Sequence, residues 1–197
     1  MANRSVLHER VEQNFNFMET TKQKEQKAFE LLKAKYGYKN KMASPKIVKV
    51  VISSATGTGM KKDQKRNEHV VDRISKITGQ KPALKGAKKS VASFKVRQGD
   101  PIGVMVTLRG AQMYAFLDKL INIAFPRTKD FRGIERKIVD NIGNITIGIK
   151  EHTIFPETSE EDIRDVFGMA ITLATTAKNK EEGTAFFELL GIPFKKI

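Results

Sequence analysis

The chain has 197 residues, 36 of them Lys or Arg and 22 Asp or Glu, for a formal charge of +14, a length that suits one domain able to bury about 70% of its unfolded surface. The lack of cysteine excludes disulfide scaffolds, thiol enzymes and Cys-rich zinc ribbons. No apolar run approaches the roughly 18 residues of a membrane helix, and Met1 to Glu12 holds no secretory-signal core.

The expectation is a soluble, cytoplasmic protein whose excess cations seek a polyanion, nucleic acid before anionic membrane. The charge is uneven. Lys22 to Lys49 carries nine lysines against Glu25 and Glu30 (net +7), and Met60 to Asp100 is +8. Glu151 to Glu182 reverses to −5, so a basic half and an acidic segment predict two kinds of partner.

In chain order, the polar first 20 or so residues carry scattered Val6, Leu7, Val11, Phe15 and Phe17 and read as helix or loose extension. Lys22 to Tyr36 reads as a helix with Ala28, Leu31, Leu32 and Tyr36 on one side, stopped by Gly37. Ile47, Val48, Val50, Val51 and Ile52 make a β-branched strand within Lys46–Ser53, broken by Gly57 and Gly59. A second helix places Val70, Val71, Ile74 and Ile77 on one face and stops at Gly79; Lys81–Ala87 reads as a strand. Gly86 to Asp100, rich in Lys, Ser and Gly, reads as a long exposed loop or ribbon.

Ile102–Arg109 alternates most clearly: Ile102, Val104, Val106 and Leu108 face a core, while Gly103, Met105, Thr107 and Arg109 face away. Met113, Phe116, Leu117, Leu120, Ile121 and Ala124 recur at helical spacing before Pro126. Ile145, Ile147 and Ile149 alternate as a strand, as do Met169, Ile171 and Leu173. A last helix opens at Asn179 with Glu182 three residues on, an Asx capping box, carries Ala185, Phe186, Leu189 and Leu190, and closes at Gly191. The order α-β-α-β-(loop)-β-α-β-β-α predicts an α+β two-layer sandwich, a mostly antiparallel sheet with helices on one face and an exposed RNA-binding face.

Nothing in the sequence assembles a catalytic site. His8, His69 and His152 are far apart without metal-ligand spacing and read as surface or interface residues. The stretch Gly57 to Lys62 fails the phosphate-loop template, and Glu160 to Asp165 reads as a solvated turn or helix start rather than a metal site. No catalytic residue, metal or cofactor is expected. The best functional candidate is the basic loop, where Lys85, Lys88, Lys89, Lys95 and Arg97 interleave with Ser90, Ser93 and Phe94. Cations attract phosphate, hydroxyls give directional bonds and an aromatic stacks. An RNA-modifying enzyme would need a base, metal or cofactor loop, whereas a free RNA-binding or chaperone module would share these features.

Several ordered strings carry a resemblance. Thr78 to Pro82, Lys88 to Gly99, Pro101-Ile102-Gly103, Val106 to Gly110, Pro126-Arg127, Asp130 to Gly133, Ile154 to Glu157, Thr175 to Lys178, Glu181-Glu182-Gly183 and Pro193-Phe194 closely resemble bacterial large-subunit ribosomal protein five. The match runs from about Lys22 to the C-terminus, so residues 1–21 form an N-terminal extension and 22–197 one α+β domain with the long loop 86–99.

The resemblance implies a structural protein of the central protuberance, not an enzyme. It implies partners 5S rRNA, 23S rRNA, P-site tRNA, the small-subunit head protein thirteen and neighbouring 5S-associated proteins, with no membrane and no homo-oligomer. It places Lys49, Ser53, Ser54, Gln80, Lys81, Thr107 and Arg109 at 5S rRNA. It points Lys88, Lys89, Ser90, Phe94, Lys95 and Arg97 toward tRNA, and Glu157, Glu160, Glu161 and Asp162 toward the small subunit. The chain departs from the family after the first strand, where Ser53-Ser54-Ala55-Thr56-Gly57 replaces an Asn-led glycine turn, and at Asp140 to Ile145, which lacks the usual Arg and aromatic.

Overall fold

Ala28 and Leu32 turn inward along helix α1 (Thr21–Tyr36), and Gly37 closes it at φ +64, its N–H donating to Lys33 O (2.9 Å). The structure is a computed structural model and describes residues 19–56, 64–129, 131–158 and 166–195; the expectations for residues 1–18 and for the Gly57–Gly59 turn lie outside them. The remaining elements are β1 (Ile47–Ala55), α2 (Gln64–Thr78), β2 (Ala83–Gly86), β3 (Pro101–Leu108), α3 (Gly110–Lys119), β4 (Ile145–Ile149), β5 (Met169–Thr175) and α4 (Lys180–Leu190), in the predicted order.

The five strands lie in the order β2-β3-β1-β5-β4, and every pairing between them is antiparallel. On one face Val50, Ile52, Val104, Val106, Leu108, Ile145, Ile147, Ile171 and Leu173 are buried. They join Ile74 and Ile77 of α2, Phe116 and Leu117 of α3 and Phe186 and Phe187 of α4 in one core. Each fully buried side chain of this size contributes about 1.5–3 kcal/mol. The alternate residues of each strand face away from the helices, so the sandwich has two layers and one uncovered sheet face.

Polar ties set the helix layer. Thr21 N–H and Oγ1 both donate to Asp118 Oδ1 (2.7 and 2.6 Å), locking α1 to α3. Glu25 turns inward and accepts the Tyr114 hydroxyl (3.1 Å) and the Ile47 N–H (3.3 Å). Burial, and then Glu25, pushes the Tyr114 phenol up to about 12. Glu182, only 5% exposed, accepts the Tyr38 hydroxyl and the Lys178 N–H, joining α4 to the chain beyond α1.

Several expectations need correction. β1 contains a bulge between Ile47 and Lys49 in its pairing with β5. It puts Val48 outside and brings Ile47 onto the core face, which strict alternation would not do. The helix after α3 continues as a π-helical turn, Leu120–Ala124, in which Phe125 N–H reaches back five residues to Leu120 O before Pro126. Asn179 caps α4 without a side-chain hydrogen bond, and Glu182 accepts Lys178 N–H rather than the Asn179 N–H a capping box requires. On α4 the buried positions are Glu182, Gly183, Phe186, Phe187 and Leu190, with Ala185 and Leu189 half-buried.

Of the histidines, His152 is corrected, while His8 lies outside the described residues. His152 is fully buried and stacks on Phe167 at 4.1 Å, and His69 of α2 sits edge-on, 6.5 Å from each ring. His152 N–H donates to Phe167 O (3.2 Å) and Nδ1 accepts Phe167 N–H (3.3 Å), fastening the two ends of the 152–167 segment. Residues 83 positions apart in sequence become neighbours because α2 packs beside the turn Pro156–Thr158.

Candidate nucleic-acid interface

The uncovered sheet face is built in rows fixed by strand register. Thr107, Val51, Thr172 and Thr146 lie side by side across β3, β1, β5 and β4. The next row is Ala83, Met105, Ser53, Ala170 and Gly148. Lys85, Gly103 and Ala55 form a third. The floor is therefore mostly small side chains and hydroxyls. A Cβ added at Gly148 would meet nothing within 4 Å, as expected of an open surface. A floor of small side chains with four hydroxyls lets a sugar–phosphate backbone approach closely and find hydrogen-bond partners there.

Cations border this floor. Lys49 stands beside Ala174 on β1. Arg109, exposed just past β3, donates from Nη1 to Val48 O (3.4 Å), the carbonyl of the bulged residue. Lys81, two residues before β2, and Lys85 on β2 are exposed, and Lys85 shares the open face. Gln80 follows Gly79 in the turn from α2; its N–H donates to Thr78 Oγ1 (3.3 Å), which itself donates to Ile74 O (2.7 Å). The fold thus brings Lys49, Ser53, Lys85 and Thr107 to one face with Arg109 at its edge, while Gln80 and Lys81 are exposed in the connection ahead of β2.

Ser54 is a correction. It is 4% exposed on the helix-covered face, and its Oγ donates to Gly168 O (2.8 Å). Successive residues of a strand point to opposite faces, so Ser53 and Ser54 cannot both lie on the open one. Thr146 and Thr172, whose hydroxyls hydrogen-bond at 3.0 Å, are open-face residues that the sequence reading did not single out. Their signal was present in the alternation around Ile145 and Ile147 and around Ile171 and Leu173.

The basic loop is a ribbon springing from β2 and β3. Val91 and Val96 pair in both directions (2.9 and 3.2 Å), and Lys95 N–H closes the tip on Ala92 O (3.0 Å). Lys95 adopts φ +52, a left-handed conformation uncommon for a lysine. Ser90 Oγ accepts Gln98 N–H (2.9 Å), bracing the stem. Lys88, Lys89, Ser90, Phe94, Lys95 and Arg97 are all exposed, Phe94 at 78%. Glu157 forms an ion pair with Lys119 of α3, while Glu160, Glu161 and Asp162 lie outside the described residues.

Residues 40–97 match the family described as ribosomal protein L5, and residues 101–194 match the model of that ribosomal family's C-terminus. The chain is similar to the large ribosomal subunit protein uL5 of Natranaerobius thermophilus, with 49% identity over 163 residues, 83% of this chain and 90% of that protein. It is 50% identical over 165 residues to the protein of the same name from a Thermoanaerobacter species (84% and 92% covered). Against that of Acaryochloris marina it is 46% identical over 165 residues (84% and 91% covered).

Proposed function

The chain belongs to the ribosomal protein L5 family and is a structural, non-enzymatic constituent of the large subunit of the cytoplasmic ribosome; from that premise we propose that it holds 5S ribosomal RNA on the open face of its sheet. The observation that carries this reading is the hydroxyl-bearing floor bordered by Lys49, Lys85 and Arg109. Lysines at the border neutralise phosphates, and Ser53, Gln80 and Thr107 supply short-range hydrogen bonds that register the RNA. In the same reading the ribbon from Lys88 to Arg97 reaches the P-site tRNA, with Phe94 as a stacking surface between cations. The acidic segment from Glu157 to Asp162 faces the basic small-subunit head protein.

The test is a salt titration of binding to 5S RNA and to an unrelated structured RNA of equal length. Both should weaken with salt, each neutralised phosphate adding a slope of about −0.7 to −0.9. A 5S advantage that persists at high salt supports shape and polar readout by the sheet. Convergence of the two curves would leave the +14 charge as the whole cause of binding and overturn the proposal.

A further inference from the structure

The sheet ends in two edge strands that are not alike. β4 is met at Ile145 by Val139, whereas the 4 residues of β2 are all exposed, and among the described residues nothing pairs along its outer side. The backbone of β2 can be assigned group by group. Thr56 N–H donates to Ile102 O (3.0 Å), so Ile102 turns its backbone groups toward β1. These groups alternate sides along a strand, so Gly103 and Met105 turn theirs toward β2, where the register sets them opposite Lys85 and Ala83. Ala87 is also bonded inward: its N–H donates to Asp100 O (2.8 Å) and its carbonyl accepts Gly99 N–H (3.0 Å). The register shift between Lys85 and Gly86 skips Ile102 of β3 and leaves β2 itself regular. Leu84 and Gly86 alternate with these inward residues and therefore direct their N–H and C=O groups away from the sheet. The two outward residues stand about 7 Å apart, the spacing on which a further strand pairs.

The side chains at this margin have a distinct chemistry. Leu84, opposite the buried Val104, lies on the helix-covered side of the sheet and is nevertheless 52% exposed, because no strand flanks it. Lys85 stands on the open face. Lys81, Lys88 and Lys89 extend the positive charge to either side of it, and among the described residues none of these lysines meets a carboxylate within 4.0 Å. A lysine on an edge strand ordinarily repels further pairing. A second copy of this chain pairing about Lys85 would set the two lysines opposite each other, which is unfavourable. An acidic strand escapes both penalties. Its carboxylate meets Lys85 on one side of the sheet, and the apolar residue next to it covers Leu84 on the other.

We propose that the outer edge of β2 is a docking site for an extended segment of a partner protein, alternating acidic and apolar residues, which joins the sheet as a further strand. Leu84 and Gly86 supply the backbone hydrogen bonds, and Lys85 selects the charge of the segment. This surface does not depend on the sheet-face reading.

The test titrates the isotope-labelled full chain with a peptide of about ten residues alternating Glu with Val and Thr, and with the same peptide carrying Lys in place of Glu. Amide exchange is read residue by residue. In the free chain Leu84 and Gly86 N–H should exchange with solvent while those of Ala83 and Lys85 are protected. The acidic peptide should slow exchange at Leu84 and Gly86 at least about five-fold, and the basic peptide should not. Leu84→Pro removes an outward donor without taking a bond from β3, and should leave 5S affinity unchanged. Lys85→Glu reverses the selecting charge. Each should weaken the acidic peptide at least about ten-fold, the scale of one or two hydrogen bonds, and Lys85→Glu should also transfer the preference to the basic peptide. That reversal reads the site even where the proline variant melts early. Peptide binding that leaves the Leu84 and Gly86 amides exchanging as before would overturn the proposal. So would protection of those amides in the peptide-free chain that grows with protein concentration, which would make the occupant a second copy. Protection by a short single-stranded RNA and not by the acidic peptide would likewise overturn it, assigning the edge to RNA.

Discussion

Gly183 lies in the first turns of α4, where alanine ordinarily improves a helix by about 0.5–1 kcal/mol. Here the sign should reverse. A Cβ at 183 would stand 2.6 Å from Gly143 Cα, 2.9 Å from its O and 3.1 Å from its C, all backbone atoms. That backbone is held on several sides. Asp140 Oδ1 accepts Ile142 N–H (3.1 Å) and Asn144 N–H (2.7 Å), and Thr175 Oγ1 donates to Gly143 O (2.7 Å). Carbon atoms pack at about 3.5–4.0 Å, so α4 and the 140–144 turn must part by roughly 1 Å. Overpacking of this kind costs about 1–3 kcal/mol, and losing the Thr175–Gly143 bond adds about 1 kcal/mol. Set against the helix gain, Gly183→Ala should destabilise by about 1–3.5 kcal/mol, a fall in Tm of roughly 2–14 °C at this chain length. Calorimetry or a circular-dichroism melt reads it directly; an unchanged or higher Tm would refute the close-approach argument.

Arg109→Ala should weaken 5S RNA binding by about 1–3 kcal/mol through loss of a charged hydrogen bond, whereas Ser54→Ala should leave RNA affinity alone and lower stability through Gly168 O; equal effects of the two on filter binding would sink the face assignment. Replacing Lys88–Arg97 with a short Gly/Ser linker should spare 5S binding and impair tRNA engagement, and equal loss of both would assign the ribbon to the 5S site. Burial is the largest influence on Glu25 and holds its carboxyl above the ordinary 4.5 despite the Ile47 N–H, Tyr114 and Lys46. A carboxyl raised in the folded state contributes stability that is full below 4.5 and lost as pH rises through the raised value. Wild type should therefore lose Tm relative to Glu25→Gln as pH rises above 4.5, and a gap that does not move with pH would contradict the sign.

Local pattern determined the elements. The alternation from Ile102 to Leu108, the helical spacing from Met113 to Ala124 and the stops at Gly37, Gly79 and Gly191 depend on a residue's own neighbours, and they gave the observed order and the two layers. The face that carries Thr107 and Arg109 was legible for the same reason, since a period of two assigns every residue of a regular strand to one side. Tertiary contact decided the rest. The bulge at Val48 depends on how β1 pairs with β5, and it both turns Ile47 inward and presents the carbonyl that Arg109 meets. Ser54 reads as a second polar residue beside Ser53 until the helix layer covers its face and gives it Gly168 O. His69 and His152 meet because α2 packs beside the turn Pro156–Thr158, and Glu182 and Gly183 are buried because Tyr38 and the 140–144 turn close on α4. Each is a contact between residues far apart in the chain, and no local periodicity encodes a partner that only packing brings near.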